Sequence, residues 1–103
     1  MDMENKVRQI RELVEAKREK FARVSDEVWA VPELYFHETK SAAILIKALK
    51  EEGFEVQEGV DGIPTAFIGT WGSGKPVIGI LGEFDALPSL SQEAGCWEHK
   101  EIV

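Results

Sequence analysis

A chain of 103 residues has room for one small domain or part of a larger one, and with 44% hydrophobic and 30% charged residues it has the composition of a folded globular protein, not of a disordered one. A net charge of −7 without a basic patch argues against nucleic acid and anionic membrane as partners. The single cysteine, Cys96, rules out an internal disulfide, no apolar run approaches the roughly 18 residues of a membrane span, and the polar start, Met1 to Lys6, is unlike a signal segment. The expected location is cytoplasmic.

The first predicted element runs from about Met3 to Ala30. Val7, Ile10, Val14, Phe21, Val24 and Val28 recur at steps of three and four, with Lys17 filling one place in the series. This is one face of a long amphipathic helix, expected to pack on a sheet. A coiled-coil seam is the competing reading, and Lys17 interrupts it. Arg8, Arg11, Lys17 and Arg18 alternate with Glu12, Glu15 and Glu19, the pattern of a solvated face with pairs one turn apart. Pro32 ends the helix, because the residue before a proline is pushed out of the α region. A second helix is expected from Thr39 to Glu52, with Ala42, Ile44, Leu45, Ala48 and Leu49 apolar and Gly53 as its stop.

The period then changes. Phe54 to Gln57 and Thr65 to Trp71 read as strands, with a turn region over 59–64 between them. Gly72-Ser73-Gly74-Lys75 reads as a hairpin loop leading into a third strand, Pro76 to Leu81. That strand is almost continuously apolar, which predicts burial on both faces. The order α-α-β-β-β implies an α/β fold with two N-terminal helices packed on a small three-stranded sheet. Trp29 continues the helical stripe and is expected in the core, Trp71 at a sheet edge, and Trp97 exposed in the tail.

Chemistry concentrates where the third strand ends, at Gly82-Glu83-Phe84-Asp85-Ala86-Leu87-Pro88. On extended chain, carboxylates two residues apart point to the same side. Ligands in α/β proteins bind where strands leave the sheet. Glu83 and Asp85 there suit orienting a metal-bound histidine, ligating, or acid–base work; the plain alternative is a solubilised strand end. Cys96 and His99 stand three residues apart, and with Glu83 or Asp85 they would make up a one-metal set. His37 follows the bend and is expected to cap or flank the second helix. Gly72 and Gly74 lack phosphate-loop spacing and read as turn residues.

The run from Gly82 to Pro88 resembles the Asp-Ala-Leu-Pro signature of the metal-dependent amidohydrolases of the aminoacylase and aminobenzoyl-glutamate hydrolase family. Trp29 to Leu34, Trp-x-x-Pro-Glu-Leu, resembles the family's N-terminal signature. Glu51 to Val56, Gly62 to Ala66 and Gly72 to Pro76 match in character and order. The resemblance covers nearly the whole chain, fits the aminobenzoyl-glutamate hydrolase branch best, and makes residues 1–103 a single partial catalytic-type domain. It implies a two-metal mechanism with zinc or manganese cleaving N-acyl or aminobenzoyl amino-acid amides. It implies that Asp85 orients a metal ligand and that Glu83 stands where the peptidase branch has a metal-binding histidine. The chain departs from the pattern in having no match to the Cys-Gly-His motif, the paired glutamates including the general base, the later histidines, or the inserted dimerisation domain. It is therefore expected to be inactive alone, with no cofactor of its own. Its expected partners are a second copy of itself, through uncovered apolar surface, or the missing remainder of the catalytic domain. The other readings are a non-catalytic interaction module and a small one-metal protein built on Glu83, Asp85, Cys96 and His99.

Overall fold

The computed structural model describes residues 2–102. Asp2 opens the first helix, α1 (Met3–Ala16), by accepting the Asn5 N–H on its side chain at 2.8 Å, the usual task of a short acidic N-cap. The long helix expected over 3–30 is two helices. Lys17 leaves the helical region, with φ −110° and ψ 5°, and α2 (Arg18–Trp29) starts beyond it. Tertiary ion pairs lie at the break, and periodicity cannot register them. Lys17 Nζ binds the Glu52 carboxylate, and Lys20 Nζ lies 2.9 Å from Glu52 and 3.0 Å from Glu51.

These lysines also neutralise two carboxylates at the C-terminal end of α3 (Thr39–Glu51), where the helix dipole disfavours negative charge. Hydrogen bonds from Lys17 and Lys20 keep the Glu52 carboxyl below its ordinary range, and one from Lys20 does the same for Glu51. Exposed pairs of this kind contribute little and are screened by salt. Glu52→Gln is therefore expected to lower the melting temperature only slightly, and less at high salt than at low; a thermal melt at two ionic strengths checks this.

The expectation that the first helical face packs on a sheet is also corrected. α1 buries no residue, and Ile10, Leu13 and Val14 stay exposed. Contact with the body passes instead through α2 onto α3. Trp29, expected in the core, is 44% exposed.

The small core lies on α3. Ser41, Ala42 and Ala48 are buried, and Ile44, Leu45, Ile46 and Leu49 are half-buried. The helix ends at the expected place. Gly53 takes φ 88°, which a residue with a Cβ adopts only under strain, and the Phe54 N–H returns to the Leu49 carbonyl at 3.0 Å. Strands β1 (Glu55–Glu58) and β2 (Phe67–Thr70) follow as an antiparallel pair, with Val56 opposite Gly69 and Glu58 opposite Phe67. The loop between them carries a short 3-10 turn, Val60–Gly62, and is closed by the Gly59 N–H on the Ala66 carbonyl at 2.9 Å.

The sheet therefore has two strands among the described residues, and the third strand is a correction. The segment 76–81 forms no ladder, and the buried run expected there is open to solvent: Val77 is 85% exposed, Ile78 82%, Ile80 94% and Leu81 90%. β propensity expresses fit to neighbouring strands more than a backbone preference, and no neighbour stands beside this run. Gly72 and Gly74 do turn, with φ 78° and 88°, but they open an excursion of the chain instead of joining two strands. Among the described residues, no helix is long and apolar enough to cross a membrane.

Candidate functional site

The site is built on the N-terminus of α3. The first N–H groups of a helix have no partner within it. Here Glu33, six residues before the helix, supplies one. Its carboxylate accepts the Lys40 N–H at 3.1 Å, the Ser41 N–H at 2.7 Å, the Ser41 hydroxyl at 2.9 Å and the Thr39 hydroxyl at 3.3 Å. Ser41 is 1% exposed, so its hydroxyl has no recourse to water. Partial burial pushes the Glu33 carboxyl upward, and the four hydrogen bonds together outweigh this and hold it below the usual carboxylate range.

Glu38 lies next to it and is itself buried. It accepts the Phe36 N–H at 2.9 Å and the side-chain hydrogen bond of Thr65, another buried residue. Burial and the nearby Glu33 charge work against its ionised form, yet these hydrogen bonds keep it below the ordinary range. Two ionised carboxylates thus fold the turn 31–38 onto α3 and tie it to the β1–β2 loop. Phe36 sits in this turn at φ 61°, a left-handed conformation that bulky residues adopt only when their surroundings impose it.

The same turn carries the loop of the sequence-predicted carboxylates. The Ala86 N–H donates to the Glu33 carbonyl at 2.8 Å, and Leu34 and Ala86 form an isolated parallel bridge. The Phe84 ring lies 5.6 Å from the Phe67 ring, centre to centre, on β2. Phe84 and Ala86 are half-buried, while Glu83, Asp85 and Leu87 are exposed. This alternation puts Glu83 and Asp85 together on the outer side, the relation their spacing predicts. Asp85 is thus held between two anchored neighbours. Trp29-x-x-Pro32-Glu33-Leu34 and Asp85-Ala86-Leu87-Pro88, far apart in the chain, meet at this one bridge.

The other candidates are placed elsewhere. Cys96 is half-buried in the last loop, where its carbonyl accepts the Gln92 amide at 3.2 Å. His99 is exposed nearby, in a segment held by the Glu93 N–H on the Lys100 carbonyl at 2.7 Å. Among the described residues, no three His, Cys, Asp or Glu side chains gather in a group able to hold a metal, so Glu83, Asp85, Cys96 and His99 do not form one set. By themselves, the donors among the described residues do not make a metal centre. His37 is exposed and donates its N–H to the Leu34 carbonyl at 2.9 Å, so it flanks α3 as expected. The residues missed from sequence are Glu33, Glu38, Ser41 and Thr65 as a network. A capping box reaches back three residues, whereas Glu33 reaches forward eight to Ser41, so no spacing rule marked it.

No protein family model matches the chain. The chain is similar to one of the subunits of the p-aminobenzoyl-glutamate hydrolase of Escherichia coli (strain K12), with 47% identity over 101 residues. That match takes in 98% of this chain and 21% of the relative, so the chain spans about a fifth of the relative's length.

Proposed function

From its kinship with the aminobenzoyl-glutamate hydrolase family, we propose that the chain is the first part of a catalytic α/β unit that hydrolyses N-acyl or aminobenzoyl amino-acid amides. Asp85 is its contribution to the reaction, as the positioning carboxylate of a site completed by groups outside these residues. Such a site would use the zinc or manganese chemistry of the resemblance. The observation that carries the reading is the Ala86 to Glu33 hydrogen bond at 2.8 Å, which holds Asp85 outward on a built turn. A merely solubilising strand end needs no such anchor. Alone, the chain is expected to hydrolyse no amide, since no three His, Cys, Asp or Glu side chains among the described residues gather in a group able to hold a metal.

Two measurements test this. The purified chain, dialysed against trace zinc and manganese, is expected to retain no stoichiometric metal and to leave aminobenzoyl-glutamate intact. Metal-dependent hydrolysis abolished by Asp85→Asn would overturn the claim of inactivity. Grafting the chain into the Escherichia coli relative in place of its matching segment is expected to preserve hydrolysis. In that chimera Asp85→Asn should lower kcat by about 10- to 100-fold, the usual effect of removing a group that orients a metal ligand. An unchanged kcat would remove Asp85 from the site.

A second reading, a non-catalytic module that oligomerises or captures another polypeptide, is favoured by one observation: the exposed apolar run from Val77 to Leu81.

A further inference from the structure

Glu33 joins the Asp85 loop to the body of the fold with two separate groups. Its carbonyl accepts the Ala86 N–H at 2.8 Å, one residue beyond Asp85. Its carboxylate grips the first turn of α3. Oε1 accepts the Ser41 N–H at 2.7 Å and the Ser41 hydroxyl at 2.9 Å, while Oε2 accepts the Lys40 N–H at 3.1 Å and the Thr39 hydroxyl at 3.3 Å. Among the described residues, the other hydrogen bond from α3 to residues 31–34 runs from the Ser41 hydroxyl to the Val31 carbonyl and is long, at 3.4 Å. That hydroxyl has one proton to donate, and the shorter contact with Glu33 takes it. On the other side of Asp85, the Phe84 and Phe67 rings lie 5.6 Å apart with their planes tilted by 41°. Apolar contact is non-directional and tolerates sliding, whereas a hydrogen bond weakens steeply with angle. The direction of Asp85 is therefore set at the Ala86–Glu33 bond, and the place of that acceptor is set by the Glu33 carboxylate.

We propose that Glu33 is a positioning residue of the amide-hydrolysing site and acts through Asp85. Its carboxylate fixes its own carbonyl, and that carbonyl fixes the loop that carries Asp85. The inference rests on the reading of Asp85 as the positioning carboxylate of the reaction. The Glu33 carboxylate is fully engaged by donors of α3, so its part is to hold and not to react. Without it, the Ser41 hydroxyl falls back on Val31, and the turn stays attached to α3 at a changed distance. Ala86 keeps its acceptor, and Asp85 moves with it. Misplacement by about 1 Å costs a catalytic arrangement up to about 100-fold in rate.

The test is a double-mutant cycle in the chimera with the Escherichia coli relative, with kcat and KM for aminobenzoyl-glutamate as readouts and each value normalised to folded protein by circular dichroism. Glu33→Ala is expected to lower kcat about 10-fold and to leave KM within about twofold, as the loss of an interaction expressed in the transition state does. Glu33→Gln keeps an acceptor toward Ser41 and should lose less; it carries the same comparison if Glu33→Ala lowers the folded fraction too far. Adding Glu33→Ala to Asp85→Asn is expected to change kcat by less than about twofold, because nothing is left to position. Ala48→Gly, which loosens α3 near its other end, should leave kcat unchanged. Independently of activity, the Ala86 amide of the 103-residue chain should exchange faster in Glu33→Ala than in Ala48→Gly. The proposal is overturned by an unchanged kcat in Glu33→Ala, by losses that multiply in the double variant, by an equal loss in Ala48→Gly, or by unaltered Ala86 exchange. A silent Asp85→Asn would instead sink the reading of Asp85, and this proposal with it.

Discussion

Replacing Glu33 by alanine is expected to lower unfolding stability by about 2 kcal/mol, the sum of a lost helix cap and a buried Ser41 hydroxyl left with only its long contact to the Val31 carbonyl, at 3.4 Å. For a domain of this size, each kcal/mol corresponds to a fall of roughly 4–8 °C in melting temperature. The cost is concentrated because one carboxylate serves four donors around Lys40 and Ser41. Ser41 is fully enclosed and cannot turn to water. Glu33→Gln keeps an acceptor in place and should lose less. The acid dependence has a definite sign. Glu33 and Glu38 both have carboxyls held below their unfolded range of about 4.3, so the unfolded chain binds protons first as pH falls. Their contribution is complete above that range and is lost as pH falls through the lower folded values. In Glu33→Ala, urea unfolding between neutral and acid pH should show a shallower decline than wild type. An unchanged slope would mean that Glu33 is not the charged cap. Hydrogen exchange adds a second readout: the Lys40 and Ser41 amides should lose protection in Glu33→Ala because their acceptor is gone, and the Ala86 amide should lose some as the turn that supplies its acceptor is freed.

Much of this arrangement was legible in the residues, and the illegible part has a common cause. Helix α3 and its end at Gly53 follow from local signals: an apolar period, then a residue free to take positive φ. The shared side of Glu83 and Asp85 follows from the two-residue period of extended chain. The strands 55–58 and 67–70 lie close to the expected runs. Each failure depends on a partner distant in sequence. The first helix breaks at Lys17, whose ammonium pairs with Glu52, 35 residues away. The run 77–81 is apolar enough for a buried strand, but burial needs neighbours, and composition does not supply them. Glu33 looked like one letter of a motif, yet its carboxylate caps a helix and its carbonyl holds Ala86. The two signatures behind the family resemblance were readable one by one. That they touch, at the Leu34–Ala86 bridge, was not.

Substituting Gly69 by valine is expected to cost about 1–3 kcal/mol through overpacking where β2 meets α3. A Cβ at Gly69 would lie 3.0 Å from Leu49 Cδ1, 3.4 Å from its Cδ2 and 3.5 Å from Phe54 Cδ2. Gly69 thus serves close approach and not an unusual backbone angle, since it sits in a regular pair opposite Val56. The crowding atoms are the ends of side chains, so alanine is tolerable: Leu49 shifts by a few tenths of an ångström, and the reduced freedom of the unfolded chain offsets part of the cost. Valine adds two methyl groups into the same space and has few rotamers with which to avoid it. Urea unfolding of Gly69→Ala and Gly69→Val should therefore separate them clearly, with alanine within about 1 kcal/mol of wild type. The Gly69→Val, Leu49→Ala double variant decides the mechanism. If the leucine is what valine strikes, the two penalties will sum to more than the measured loss, because removing Leu49 makes the room that valine needs. Strict additivity would mean that valine is rejected by the strand itself, and that the seam between α3 and the hairpin is looser than these distances imply.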